Sequence, residues 1–146
     1  LSRYGDVSPK ILRVLVNYFV ESRRMFGGDL DKTLIVGVIA LRTVAWPKFQ
    51  SRSADEMIEM VEEANLGINV QSIADSTGIP RETARRKVAE LQELGWIERR
   101  PSGWTITSKG GRDLTEHREA MLNLIRKLTE IADELRRESE APVRAA

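Results

Sequence analysis

The residues with chemistry to offer are concentrated between Arg81 and Lys109. Seven Lys or Arg stand there against four Glu, in a chain of 146 residues whose formal net charge is only +1. Arg81, Glu82, Thr83, Arg85 and Arg86 crowd one segment, and Arg99, Arg100, Ser102 and Lys109 follow it closely. A guanidinium is a planar fork that fits phosphate oxygens and the O6/N7 edge of guanine, so such a cluster suits a nucleic acid. Glu82 either accepts a hydrogen bond from a cytosine amino group or favours the positive end of a helix. Catalysis has no comparable footing: no Ser-His-Asp arrangement, no phosphate loop and no paired carboxylates beside a base can be traced, and the expectation is a non-enzyme. His117 is the only histidine and there is no cysteine. A metal centre, a disulfide and a thiol switch are therefore not expected, and no cofactor is implied.

These residues need a scaffold, and the sequence from Val70 to Thr107 supplies one. Ile73 and Ala74 give a short helix its apolar face, and Ser76-Thr77-Gly78 ends it, since glycine tolerates the left-handed conformation of a sharp reversal. Ile79 is an apolar plug, and Pro80 presets φ for a new helix. Along that helix Ala84, Val88, Leu91 and Leu94 recur at spacings of four and three, which turns them inward and leaves the arginines on other faces. Gly95 stops it. Trp96 to Arg99 and Trp104 to Thr107 then read as two strands around the turn Pro101-Ser102-Gly103, and Ile68-Asn69-Val70 offers a third, very short strand. The tryptophans are expected to pack the hairpin.

The run with Ile73-Ala74, Thr77-Gly78-Ile79, Arg81, Thr83, Arg86, Val88, Leu91, Gly95, Ile97 and Arg99, closed by Thr105, Thr107, Lys109 and Gly110, resembles the winged helix-turn-helix of bacterial transcriptional regulators. With long helices on both sides, the closest likeness is to the MarR-like architecture. The resemblance implies a mainly α fold with a small β-wing, and a DNA-binding protein whose second helix enters the major groove while the wing touches the backbone. It also implies a homodimer and a small-molecule effector, for which Tyr18, Trp46 and Phe49 are candidate lining.

The flanks are read as the dimer body. Ser8-Pro9 predicts a helix start, followed by apolar residues on more than one face, including Leu15 and Phe19. A second helix is expected from Asp29–Asp31 to Trp46. Its centre, Leu34 to Leu41 with Val38, is apolar all round and predicts enclosure on every side. Ser53 and Glu56 form a capping box for an acidic helix that opens the winged domain. A last helix is expected from about Arg112 to Glu138, where Leu114, Met121, Leu128 and Leu135 recur every seven residues and His117, Leu124 and Ile131 fall three later. That is a heptad seam wanting a partner helix. For His117 the choice lies between packing at the end of the seam and pH sensing.

The predicted division is 1–50 as an N-terminal helical dimerisation segment, 51–110 as the DNA-binding domain, and 111–146 as a dimerisation helix and tail. No run reaches the roughly 18 apolar residues that span a bilayer, and no signal-peptide pattern opens the chain, so a cytoplasmic location without a membrane partner is expected. The chain opens on Leu1 and not Met, which leaves room for residues upstream. The expected partners are a near-palindromic DNA duplex and a second copy of the chain. The rival from another class is a winged domain used as a protein adaptor.

Overall fold

The computed structural model describes residues 4–141, which form two compact units. One is built from residues 4–25 and 116–141; the other is the continuous stretch Phe26–Thr115.

The central unit holds α2 (Leu30–Val44), α3 (Ala54–Met60), α4 (Val70–Thr77), α5 (Arg81–Glu93), the hairpin β1 (Ile97–Arg100) and β2 (Gly103–Ile106), and α6 (Ser108–Asp113). It is mainly helical with one two-stranded antiparallel sheet, the winged helix expected from the sequence. Local chemistry sets the element boundaries. Asp29 caps α2 by accepting from the Lys32 N–H, Ser53 and Glu56 form both halves of the capping box of α3, and Asn69 caps α4 through the Ser72 N–H. Gly78, at φ 74°, closes α4 in the left-handed region, and α5 starts three residues later. In the hairpin Ile97 pairs with Ile106 and Arg99 with Trp104. The third strand is reduced to one antiparallel bridge, Ile68 to Trp104.

Ile35 and Ile39 of α2, Ile73 of α4, Ala84, Val88 and Leu91 of α5 and Ile97 of β1 have at most 1 % of their surface exposed and form the core. Each large aliphatic side chain buried this way contributes about 1.5–3 kcal/mol. α2 was expected in a dimerisation segment, with Val38 at the interface. It packs instead against α4, α5 and β2, and Val38 is half-buried there. Nor is α2 enclosed on every side: Ile35, Val36, Ile39 and Thr43 face inward, while Leu30, Leu34, Leu41 and Val44 are exposed. A helix laid on one side of a small unit can bury only one stripe, whatever its composition. A second cluster, Phe49, Val61 and Ala64 with Trp46, Met57 and Met60 around it, fills the space beneath α3 and the 3-10 turn Val61–Glu63.

The last helix also departs from expectation. It does not run unbroken from residue 112: α6 ends at Asp113, Leu114 is its C-cap, and a new helix starts at Thr115. Leu114 thus lies outside the heptad helix and belongs to the winged unit. Gly110 lets α6 sit against the start of the wing, because a Cβ there would lie 2.3 Å from the Trp96 carbonyl oxygen.

The second unit pairs α1 (Tyr4–Met25) with α7 (Thr115–Glu140). α1 begins at Tyr4, and Pro9 lies inside it instead of opening it. The helices run antiparallel, as Lys10 meets Glu134 at 3.0 Å near one end while Tyr18 and Ser22 reach His117 at 3.4 and 3.2 Å near the other. Leu15 and the seam residues Leu124, Leu128, Ile131 and Leu135 are half-buried, whereas Phe19 and Met121, with Leu12, Val16, Leu122 and Ile125, stay exposed. The seam predicted to meet a second chain shares its burial with α1 of the same chain, and the open apolar face lies beside it.

Candidate nucleic-acid interface

α5 and the wing stand side by side with an open groove between them. Arg81, Arg85, Ala89 and Gln92 line it from α5, their spacing placing them on one helical face, and Arg99 and Trp104 line it from the hairpin. Asn69 and Gln71, at the start of α4, line it as well. The core side of α5 fixes this orientation: with Ala84, Val88 and Leu91 inward, the arginines have nowhere to go but out.

The positive charge is not equally available. Arg81 and Arg99 are exposed and meet no hydrogen-bond or ion-pair partner among the described residues. Arg86 is exposed beside Glu90 at 3.7 Å. Arg85 is held by Glu82 through contacts of 2.5 to 3.0 Å, both side chains being well exposed. The hydrogen bond from Arg85 holds the Glu82 carboxyl below its ordinary range, so the pair is ionised on both sides. Thr83 is half-buried on the same first turn, and Ser102 is exposed at the tip of the hairpin. Lys87 contributes nothing outward, because it is paired with Asp29 and mostly buried. Burial opposes ionisation of Asp29, yet the bonds from Lys87 and the Lys32 N–H outweigh it and lower the pKa. Lys109 sits on α6 with its ammonium on Asp113, which also accepts from the Trp96 indole.

Arg100 does not belong to the expected set. Its side chain is only 13 % exposed, and it donates to the Val61 and Ala64 carbonyls at 3.0 and 2.6 Å while meeting Glu62 at 2.7 Å and Glu98 at 2.6 Å. Glu62 in turn accepts from the N–H and hydroxyl of Ser108, and these bonds, assisted by Arg100, hold its carboxyl below the usual range. Arg100 therefore ties the wing to the 3-10 turn and α6. Strand geometry separates it from its neighbour: successive side chains point to opposite faces, so Arg99 turns to the groove and Arg100 to the 3-10 turn Val61–Glu63.

The aromatic residues expected to line an effector site are committed to packing. Tyr18 belongs to the helical pair, beside His117. Phe49 is buried in the winged unit, and Trp46 packs edge-on to it with centroids 5.0 Å apart. Among the described residues no group of three His, Cys, Asp or Glu is placed to hold a metal, and no helix is long and apolar enough to cross a membrane. The sequence reading overlooked Gln92 and Gln71, polar groups of the groove. The spacing of Gln92 from Arg81 and Arg85 was the available signal.

Residues 56–101 match the model of the IclR helix-turn-helix domain, a segment of about a third of the chain that runs from α3 through β1. No curated protein and no solved structure matches the chain. The match supports a DNA-binding transcription regulator of the bacterial helix-turn-helix type, and the α5-wing groove lies largely within the matched segment.

Proposed function

We propose that the chain is a homodimeric, sequence-specific regulator of transcription that works on double-stranded DNA in the cytoplasm, with a MarR-like arrangement of helices around the winged domain. The observation that carries this reading is the pair of unpartnered guanidiniums, Arg81 on α5 and Arg99 on the wing, facing one groove. In the proposed complex α5 enters the major groove. Thr83, Arg85 and Arg86 meet base edges there, while Arg81, Arg99 and the exposed Ser102 hold the phosphates beside it.

The exposed apolar stripes support a second copy. Leu12, Val16 and Phe19 on α1 and Leu122 and Ile125 on α7 are each more than half exposed, and such faces on paired helices close readily into a four-helix bundle. A monomer seldom leaves so much contiguous apolar surface in water. Two-fold symmetry would then set two α5 helices about 34 Å apart in successive major grooves of a near-palindromic site.

Arg99 gives the test. Each phosphate contact contributes about 0.9 to the slope of log affinity against log salt. The expected result for Arg99→Ala, titrated against a random-sequence duplex by fluorescence anisotropy at several salt concentrations, is a slope flatter by about that amount. An unchanged slope would remove the wing from the interface.

A further inference from the structure

Glu82 is anomalous if α5 only needs to attract DNA. It sits in the first turn of the helix, with Arg81, Arg85 and Arg86 around it, and its side chain is 78 % exposed, more than that of Arg85. It also engages the Nε and Nη2 atoms of Arg85, the donors that would otherwise fork onto a phosphate or a guanine. We infer that Glu82 is a specificity-determining residue that restrains Arg85 on sequence-random DNA and releases it where a cytosine amino group faces the helix. The inference rests on the DNA-binding reading and adds a negative role to it.

On an arbitrary sequence Arg85 can reach a phosphate only by giving up the carboxylate. That exchanges one anionic partner for another and leaves Glu82 bare among phosphate charges, so the net gain is small. A carboxylate accepts but cannot donate, and in the major groove the exocyclic N4 amino group of cytosine is the donor it suits. Where that amino group faces Glu82, Arg85 is free to turn to a guanine or a phosphate, and both groups are satisfied together. Discrimination arises because the wrong sequence leaves a charge unpaired, and not only because the right one adds contacts.

Glu82→Gln is the test, since it keeps the size and removes the charge. Glu119→Gln, an exposed acid of α7, supplies the same change in net charge elsewhere. Circular dichroism checks that both variants fold. Affinities are measured against random duplexes across a salt series, and preferred sites by selection from a duplex pool. The expected result for Glu82→Gln is random-duplex binding about fivefold tighter or more, a salt slope steeper by about 0.9, and loss of preference at one cytosine position, shifted toward adenine, which glutamine reads. Glu119→Gln should leave all three near wild type. Wild-type protein that binds duplexes while Glu82→Gln leaves random-duplex affinity and slope unchanged overturns the role given to Glu82. Failure of wild type and Glu82→Gln alike to bind any duplex overturns the DNA-binding reading, and this inference with it.

Discussion

Replacing Arg100 with Ala should cost stability and leave the electrostatics of DNA binding alone. The side chain donates to two main-chain carbonyls, of Val61 and Ala64, residues that are themselves 6 % and 0 % exposed. The Val61 carbonyl keeps the Ala64 N–H as a donor, whereas the Ala64 carbonyl is left without one, at a cost of about 1–3 kcal/mol. Glu98 loses the guanidinium and Glu62 keeps only its bonds from Ser108, but their side chains are 43 % and 49 % exposed and water can replace much of the loss, so they add little. The net cost is about 2 kcal/mol. At roughly 4–8 °C per kcal/mol for a unit of this size, the melting temperature should fall by about 8–16 °C. Thermal unfolding followed by circular dichroism measures that fall. Titration of a random duplex across a salt series, below both melting transitions, measures the other half, and the slope should match wild type. An Arg100→Ala protein that melts like wild type while its salt slope flattens by about 0.9 would refute the reasoning and return Arg100 to the phosphates.

Two other perturbations follow from particular groups. Thr105 is fully buried and its hydroxyl meets no hydrogen-bond partner among the described residues, so Thr105→Val should stabilise the protein by about 1 kcal/mol, read from urea unfolding; a loss of stability would mean the hydroxyl is satisfied. His117 is held below its ordinary pKa of 6.5 by burial between α1 and α7. The folded state therefore binds this proton less readily than the unfolded state: the stability conferred by the neutral ring is complete above pH 6.5 and falls as pH drops below it. His117→Gln should reduce the drop in melting temperature between about pH 7.5 and pH 5.5, and a variant with the full wild-type drop would show that other groups cause it.

Much of the winged unit was legible in the sequence because its signals are local. Gly78 with Pro80, the Ser53–Glu56 capping box and the two strands around Pro101-Ser102 each act within a few residues, and each appears where expected. What escaped depends on distant partners. The composition of α2 could not reveal that Leu34 and Leu41 lie on its open side, since that is decided by where α4, α5 and β2 pack. The heptad pattern of α7 signals that a partner helix exists but not which chain supplies it. Arg99 and Arg100 looked equivalent as adjacent cations, although the period of two along a strand already required them to face opposite ways. Lys87 likewise counted toward the basic cluster until Asp29, from another helix, proved to hold it.

The central claim, a two-fold symmetric reader of duplex DNA, is tested most directly by selecting bound sequences from a pool of random duplexes at near-physiological salt. The expected outcome is enrichment of a near-palindromic motif whose half-sites lie about one helical turn apart, centre to centre. Weak, salt-sensitive binding with no enriched sequence would contradict it and would favour a winged domain that serves as a protein adaptor.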